Sequence, residues 1–218
     1  MKHYIIHCEA YVERRKKMEA QLEKFDIQDV EWVTTFPREQ LEPLQHINPY
    51  MSLGYFSNNM KYYDVFNRMV AEQVPEAIIF EDDAILWDLY DETKIPKIPY
   101  VRLGLGIFKD IESCSHNPKI VFNNGGSEAC YITLEFADAY LKNGISLKWM
   151  IDIEHQAFLV MYRYHIICVP MCWQLFEGDI IDNQKNPMTW TEFIDKYPSF
   201  KKYSFQELKD GTKGIPIE

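Results

Sequence analysis

Apolar and polar positions follow two different periods along this chain, and the changes of period mark its elements. His3 to Cys8 is a short apolar stretch that reads as a first strand. From Glu9 to Phe25 the apolar residues Val12, Met18, Leu22 and Phe25 recur at helical spacing, with Arg14, Arg15, Lys16 and Lys17 clustered in the early turns. Val30 to Thr34 reads as a second strand. Residues 45–56 carry Asn48-Pro49 and Gly54 and read as a loop. A helix is expected from Ser57, taken as its N-cap, to Gln73, with Tyr62, Phe66, Met69 and Val70 on one face. Pro75 separates it from the wholly apolar run Ala77-Ile78-Ile79-Phe80, which has the form of a strand buried on both faces.

Further strands are predicted at Tyr100–Leu105, at Ser127–Thr133 after the turn Asn123-Asn124-Gly125-Gly126, and at Tyr164–Val169. Helices are predicted at Leu134–Asn143, stopped by Gly144, and from Asp152 onward with Phe158, Leu159 and Tyr162 on the apolar side. From Pro187 the chain turns polar and lysine-rich, with a short helix expected near Thr191–Lys196. Alternating strands and helices predict an α/β protein: a single domain over residues 1–218, with a mostly parallel central sheet flanked by helices. Residues 185–218 are read as a C-terminal extension packing on that domain.

Composition narrows the function. Hydrophobic residues make up 47% of the 218, enough for a core, and the net charge is 23 − 33 = −10. An acidic chain does not suit sequence-independent nucleic-acid binding, which rests on Lys and Arg neutralising phosphates. An anionic small molecule would need a metal or a local basic patch. No run approaches the ~18 apolar residues of a membrane span. Five cysteines, odd in number and mostly in apolar surroundings, favour reduced thiols and a cytoplasmic setting. Cys168 and Cys172 lack the second ligand pair that structural zinc needs.

The chemistry concentrates where the apolar run ends in Glu81-Asp82-Asp83. Ligands of α/β sheets bind beyond the carboxyl ends of the strands, where these acids would emerge. Strand alternation would send Glu81 and Asp83 one way and Asp82 the other. Two hard oxygen donors on one side suit Mg²⁺ or Mn²⁺ holding a phosphate; the plain alternative is a solvated acidic turn.

In order and spacing, these pieces resemble glycosyltransferase family 25, the lipopolysaccharide-type and collagen-type sugar transferases. The resemblance covers roughly residues 3–180. It is carried by the Arg-rich helix start Tyr11-Val12-Glu13-Arg14-Arg15, by Leu53-Gly54-Tyr55-Phe56-Ser57-Asn58 and by Ile78-Ile79-Phe80-Glu81-Asp82-Asp83. Gly125-Gly126-Ser127-Glu128-Ala129-Cys130-Tyr131 and Ile151-Asp152-x-x-His155 complete the series. The family usually has His where this chain has Asn58.

The resemblance implies a GT-A-like (Rossmann-like) fold, a nucleotide-sugar donor, a glycan or protein acceptor, a divalent metal and an inverting reaction. On that footing Asp83 and Glu81 are the expected metal ligands, with Asp82 toward the ribose or supporting the ligands, or else a capping acid. Arg14 and Arg15, at a helix start, would either contact the donor phosphates or form a solvated face. His7 and Glu9 would lie at the nucleoside end, with Ser57, Gly125 and Gly126 near the donor. Asp152 is the expected general base and equally an ordinary N-cap, with Glu154 as the fallback. His155 reads as a structural residue or as a partner of Asp152. Gln174, Glu177 and Asp179 read as a loop or as a closure over the donor. Two other functions remain open: a non-catalytic nucleotide-sugar or glycan-binding module, and a metal-dependent phosphohydrolase.

Overall fold

The computed structural model describes residues 1–41, 43, 51–86, 88, 90–104, 119–120, 128–143, 151, 155, 158–159 and 167–174. Asp152, Glu154, Gly125, Gly126, Glu177, Asp179 and the extension 185–218 lie outside the described residues.

Among the described residues eight strands form one sheet: β1 (Lys2–Ile6), β2 (Val30–Val33), β3 (Glu76–Glu81), β4 (Ala84–Leu86), β5 (Tyr100–Gly104), β6 (Lys119–Ile120), β7 (Ala129–Thr133) and β8 (Ile167–Gln174). Their order is β2-β1-β3-β7-β5-β8-β4, with β6 also on β8. The expectation of a mostly parallel sheet is corrected to a mixed one. β1 pairs in parallel with β2 and β3, and β5 with β8, while β7 runs antiparallel to both β3 and β5. Periodicity signals a strand but not its direction, and β7 enters between β3 and β5 with no sequence mark of its reversal.

The parallel half is built from two crossovers leaving β1 in opposite directions. Helix α1 (Val12–Lys24) links β1 to β2, and after the short α2 (Arg38–Leu41) helix α3 (Leu53–Glu72) carries the chain back past β1 to β3. The two helices cover opposite faces. Met18 and Leu22 of α1 pack with Ile5, Ile78 and Phe80. Tyr62, Val65, Phe66 and Met69 of α3 pack with Tyr4, Ile6, Ala77 and Ile79, alongside Phe136 and Tyr140 of α4 (Leu134–Lys142). Ile78, Ile79 and Phe80 are fully buried, each stabilising the fold by about 1.5–3 kcal/mol. A side chain on either face of β3 therefore has a helix above it.

Two local differences have clear causes. Helix α3 starts at Leu53, not Ser57, because Ser52 is the cap and its Oγ accepts from the Tyr55 N–H at 3.3 Å. Ser57 lies inside the helix, where its hydroxyl donates to the Phe36 carbonyl. The helix ends at Gln73, whose φ of 54° places it in the left-handed cap position. Strand β8 runs on through Pro170 to Gln174, beyond the expected end at Val169. The pairing slips there: Arg102 faces Cys168 and Gly104 faces Cys172, a two-against-four mismatch that accommodates the residue without an N–H. No helix among the described residues is long and apolar enough to cross a membrane.

Candidate active site

Strand β3 ends at Glu81, and Asp82 and Asp83 form the turn that follows. The expected alternation of the three acids therefore stops after the first. Glu81 points to the α3 face. Its Oε1 accepts from Asn58 Nδ2 at 3.0 Å and from the Tyr62 hydroxyl at 3.3 Å. Asp82 turns instead to the end of β1 and to α1. It accepts from His7 Nδ1 at 2.7 Å, from the Cys8 amide at 3.2 Å and from Arg14 at 3.1 Å. Asp82 is 8% exposed, so it is neither a solvated acid nor a helix cap. Asp83, also buried, lies 3.7 Å from the same Arg14 guanidinium.

Arg14 is thus the hinge of the acidic turn. The placement of a cation in the first turns of α1, unfavourable by the helix dipole, is offset by the two aspartates beyond β3. Burial opposes the Arg14 charge, and Asp83 and Asp82 more than restore it, so its pKa is raised. Arg15 has a different part: its Nε donates to Glu19 at 2.9 Å and its guanidinium lies 4.4 Å from the Trp32 ring centre. Glu9 is exposed. On the far side of the turn, Gln21 fastens β4 to α1, donating to the Ala84 carbonyl and accepting from the Leu86 amide. The acids are therefore held at both ends.

A second carboxyl row crosses the sheet on the α3 face. The Glu81 amide donates to the Glu128 carbonyl at 2.8 Å, which sets the two residues opposite one another at the end of the β3–β7 ladder. Glu128 is fully buried, and among the described residues neither carboxyl oxygen finds a hydrogen-bond partner in another residue. Its carboxyl leans over Gly104 of β5, where a Cβ would stand 2.7 Å from Glu128 Cδ. Only glycine leaves that space. Two residues earlier on β5, Arg102 is buried to 1% exposure, opposite Cys130. Burial pushes the Glu128 carboxyl up to about 8, against the pull of its own amide and Arg102, and Glu81 and Asp83 push it the same way. Asp83 thus shares an electrostatic neighbourhood with Glu81 and Glu128.

His155 lies deeper on this face. It is fully buried, with neither ring nitrogen hydrogen-bonded, inside rings from Tyr62, Phe66, Tyr100, Phe136 and Tyr140 at centroid distances of 5.2–5.8 Å. Burial first, and Arg102 second, depress it to about 3, so the ring is neutral at pH 7.

The two groups make stability fall on both sides of neutrality. His155 has a folded pKa below its unfolded value, so its contribution is complete above about 6.5 and is lost as pH falls toward about 3. Glu128 is raised, so its contribution is complete below 4.5 and is lost as pH rises through about 8. Each amounts to a few kcal/mol, on the order of 1.4 per pH interval traversed. Denaturant unfolding across this range should show His155→Phe abolishing the acid-side loss and Glu128→Gln the alkaline-side loss. Profiles parallel to that of the parent protein would contradict both assignments.

Metal chemistry can be tested against these residues. Mg²⁺ and Mn²⁺ take hard oxygens and are commonly held by one or two carboxylates, with substrate phosphates completing the shell. Glu81 and Asp83 are donors of that type and number, Glu81 against α3 and Asp83 against Arg14. No group of three or more His, Cys, Asp or Glu side chains is arranged to hold a metal among the described residues. Zinc chemistry finds no support at Cys168 and Cys172, whose thiols donate to the carbonyls of Gly104 and Leu103.

The sequence marked Asn58 only as a departure from the family and assigned no role to Tyr11, Arg38, Lys61, Arg102 or Glu128. For Lys61, Arg102 and Glu128 the signal is a charged side chain at a buried position. Asn58 lies one turn before Tyr62, Lys61 one turn after Ser57, and Arg102 interrupts an apolar strand.

No protein-family model and no curated protein matches this sequence. Among solved structures, the chain is similar to the inositol-1-phosphate CTP transferase from T. maritima, at 11% identity and a TM-score of 0.46, covering 84% of this chain and 91% of that one. It is also similar to a Drosophila β1,4-galactosyltransferase 7 variant in complex with manganese, UDP-Gal and xylobiose. That match has 9% identity and a TM-score of 0.44, covering 99% of this chain and 81% of the other. Neither score is high enough to fix what this chain binds.

Proposed function

We propose that this chain is a metal-dependent glycosyltransferase of GT-A-like fold, moving a sugar from a nucleotide-diphosphate donor to a hydroxyl of a glycan or protein. The observation that carries the proposal is the place of the acids. They sit at the carboxyl end of β3 beside the end of β1, at the point of a parallel β2-β1-β3 half-sheet where the crossovers diverge. Such points are where α/β sheets take up nucleotides. The family 25 resemblance of the sequence agrees with this reading.

A divalent cation held by Glu81 and Asp83 would act as a Lewis acid on the leaving diphosphate. The chain's own residues have the following roles. Asn58 and Tyr62 orient the Glu81 carboxylate through two hydrogen bonds to Oε1. His7, the Cys8 amide and Arg14 fix Asp82, and so set the backbone turn that presents Asp83. The loop at His7, Cys8 and Glu9 would face the nucleoside, with Ser57, Gly125 and Gly126 lining the donor. Asp152, with Glu154 in reserve, would take the proton from the acceptor hydroxyl as its oxygen bonds to the anomeric carbon and the diphosphate departs with inversion.

The test is release of nucleoside diphosphate from a panel of uridine and guanosine diphosphate sugars with Mn²⁺, against a chelator control. Release that stops on chelation is expected. Donor binding with no release would favour a binding module, and chelator-indifferent release would remove the metal from the mechanism.

A further inference from the structure

The inner side of α1 carries polar residues where an amphipathic helix ordinarily carries apolar ones. Its buried residues are Met18 and Leu22 alone. Arg14 and Gln21 lie one turn to either side of Met18, seven residues apart on the same stripe, and neither is exposed. Both turn to the segment that follows β3. Arg14 donates to Asp82 at 3.1 Å and lies 3.7 Å from Asp83. Gln21 takes the next residues: its Nε2 donates to the Ala84 carbonyl at 3.0 Å, and its Oε1 accepts from the Leu86 amide at 2.6 Å.

The two bonds of Gln21 are those of a strand neighbour. β4 ends the sheet order, with β8 on one side, and among the described residues no strand lies beyond it. A primary amide offers one donor and one acceptor, as a peptide group does, and Gln21 sets both against the main chain of this end strand. Glutamine is specific for the task. Glu would set a carboxylate oxygen against the Ala84 carbonyl, and Met would keep the volume and make neither bond.

The spans also agree. Seven residues of helix rise about 10.5 Å, and the three residue steps from Asp83 to Leu86 cover about 10 Å when extended. Apolar contact is non-directional and would let α1 slide along the sheet, whereas hydrogen bonds fix its register.

We infer that Gln21 is a positioning residue of the candidate site: with Arg14 it makes α1 a brace along residues 82–86, and so sets where the Asp83 carboxylate stands. What Asp83 binds rests on the transferase proposal; the brace itself can be tested without metal.

Two measurements on the full chain test it. The first is hydrogen exchange of the Leu86 and Asp82 amides, read by NMR in the absence of metal. Leu86 is bonded to Gln21 itself, while the Asp82 amide donates to the Ile6 carbonyl at 3.0 Å, at the other end of the braced segment. In Gln21→Met both should exchange about tenfold faster, the weight of the one or two hydrogen bonds lost. Gln21→Glu, which keeps the acceptor for Leu86, should lie between this variant and the parent. The second measurement is Mn²⁺ affinity at saturating UDP, which Gln21→Met should weaken about tenfold, the lower end of what a lost supporting contact costs. Leu22→Val is the control. It is buried on the same helix and should lower the melting temperature while leaving Mn²⁺ affinity unchanged.

Parent-like exchange in Gln21→Met, or faster exchange at Leu86 alone, would overturn the brace. Parent-like Mn²⁺ affinity in Gln21→Met, or an equal loss in Leu22→Val, would overturn its part in placing Asp83. A parent protein that binds no Mn²⁺ would sink the metal-dependent transferase proposal, and the Asp82 amide would then decide the brace alone.

Discussion

Asp83→Ala is expected to reduce Mn²⁺-dependent release of nucleoside diphosphate by about 10²–10³-fold, the scale of losing one preorganised charge contact to the leaving group. The same change frees Arg14 from one of two aspartates, so some stability is lost as well. Asp83→Asn separates the two effects, since it keeps the shape and removes the anionic donor. Comparable losses of rate in both variants, with little change of melting temperature in Asp83→Asn, are the expected outcome. An Asp83→Asn variant of undiminished rate would exclude the residue from the chemistry.

Asp82→Ala should have the largest effect on stability. One buried carboxylate accepts from His7, the Cys8 amide and Arg14, and its removal leaves the largely buried Arg14 guanidinium with Asp83 alone and takes this acceptor from the His7 ring and the Cys8 amide. Breaking a buried pair on one side costs about 3–5 kcal/mol. For a chain of this length that lowers the melting temperature by on the order of 10 °C. Thermal unfolding should show it, whereas Glu9→Ala, at an exposed position of the same loop, should change the midpoint by no more than about a degree or two. A small effect for Asp82→Ala would mean that the turn is held mainly by Gln21 and β4.

The contrast between the two aspartates shows how far the sequence carries. The apolar run Ile78-Ile79-Phe80 and the acids after it were legible because burial on both faces leaves an unbroken hydrophobic string and its end is abrupt. The first helix and the helix at Leu134 were legible from their 3.6-residue period. The direction of each acid was not. Alternation applies while the strand continues, and β3 stops at Glu81, so the partner of Asp82 became a histidine and an arginine 75 and 68 residues away in sequence. Strand polarity was hidden for a similar reason: β7 earns its place between β3 and β5 through pairing partners distant in the chain. The start of α3 was misplaced because Ser57 is a good capping residue by type, while Ser52, five residues before, has the extended backbone a cap requires. Glu128 and Lys61 show a residue type at odds with its burial, which periodicity exposes only once the buried face is known.

Binding of Mn²⁺ itself tests the central claim most directly, by electron paramagnetic resonance of the free ion titrated with protein in the presence of saturating UDP. One tightly bound ion per chain is expected, lost in Asp83→Asn and in Glu81→Gln. A free-ion signal undiminished by the parent protein, or equally diminished by both variants, would contradict it.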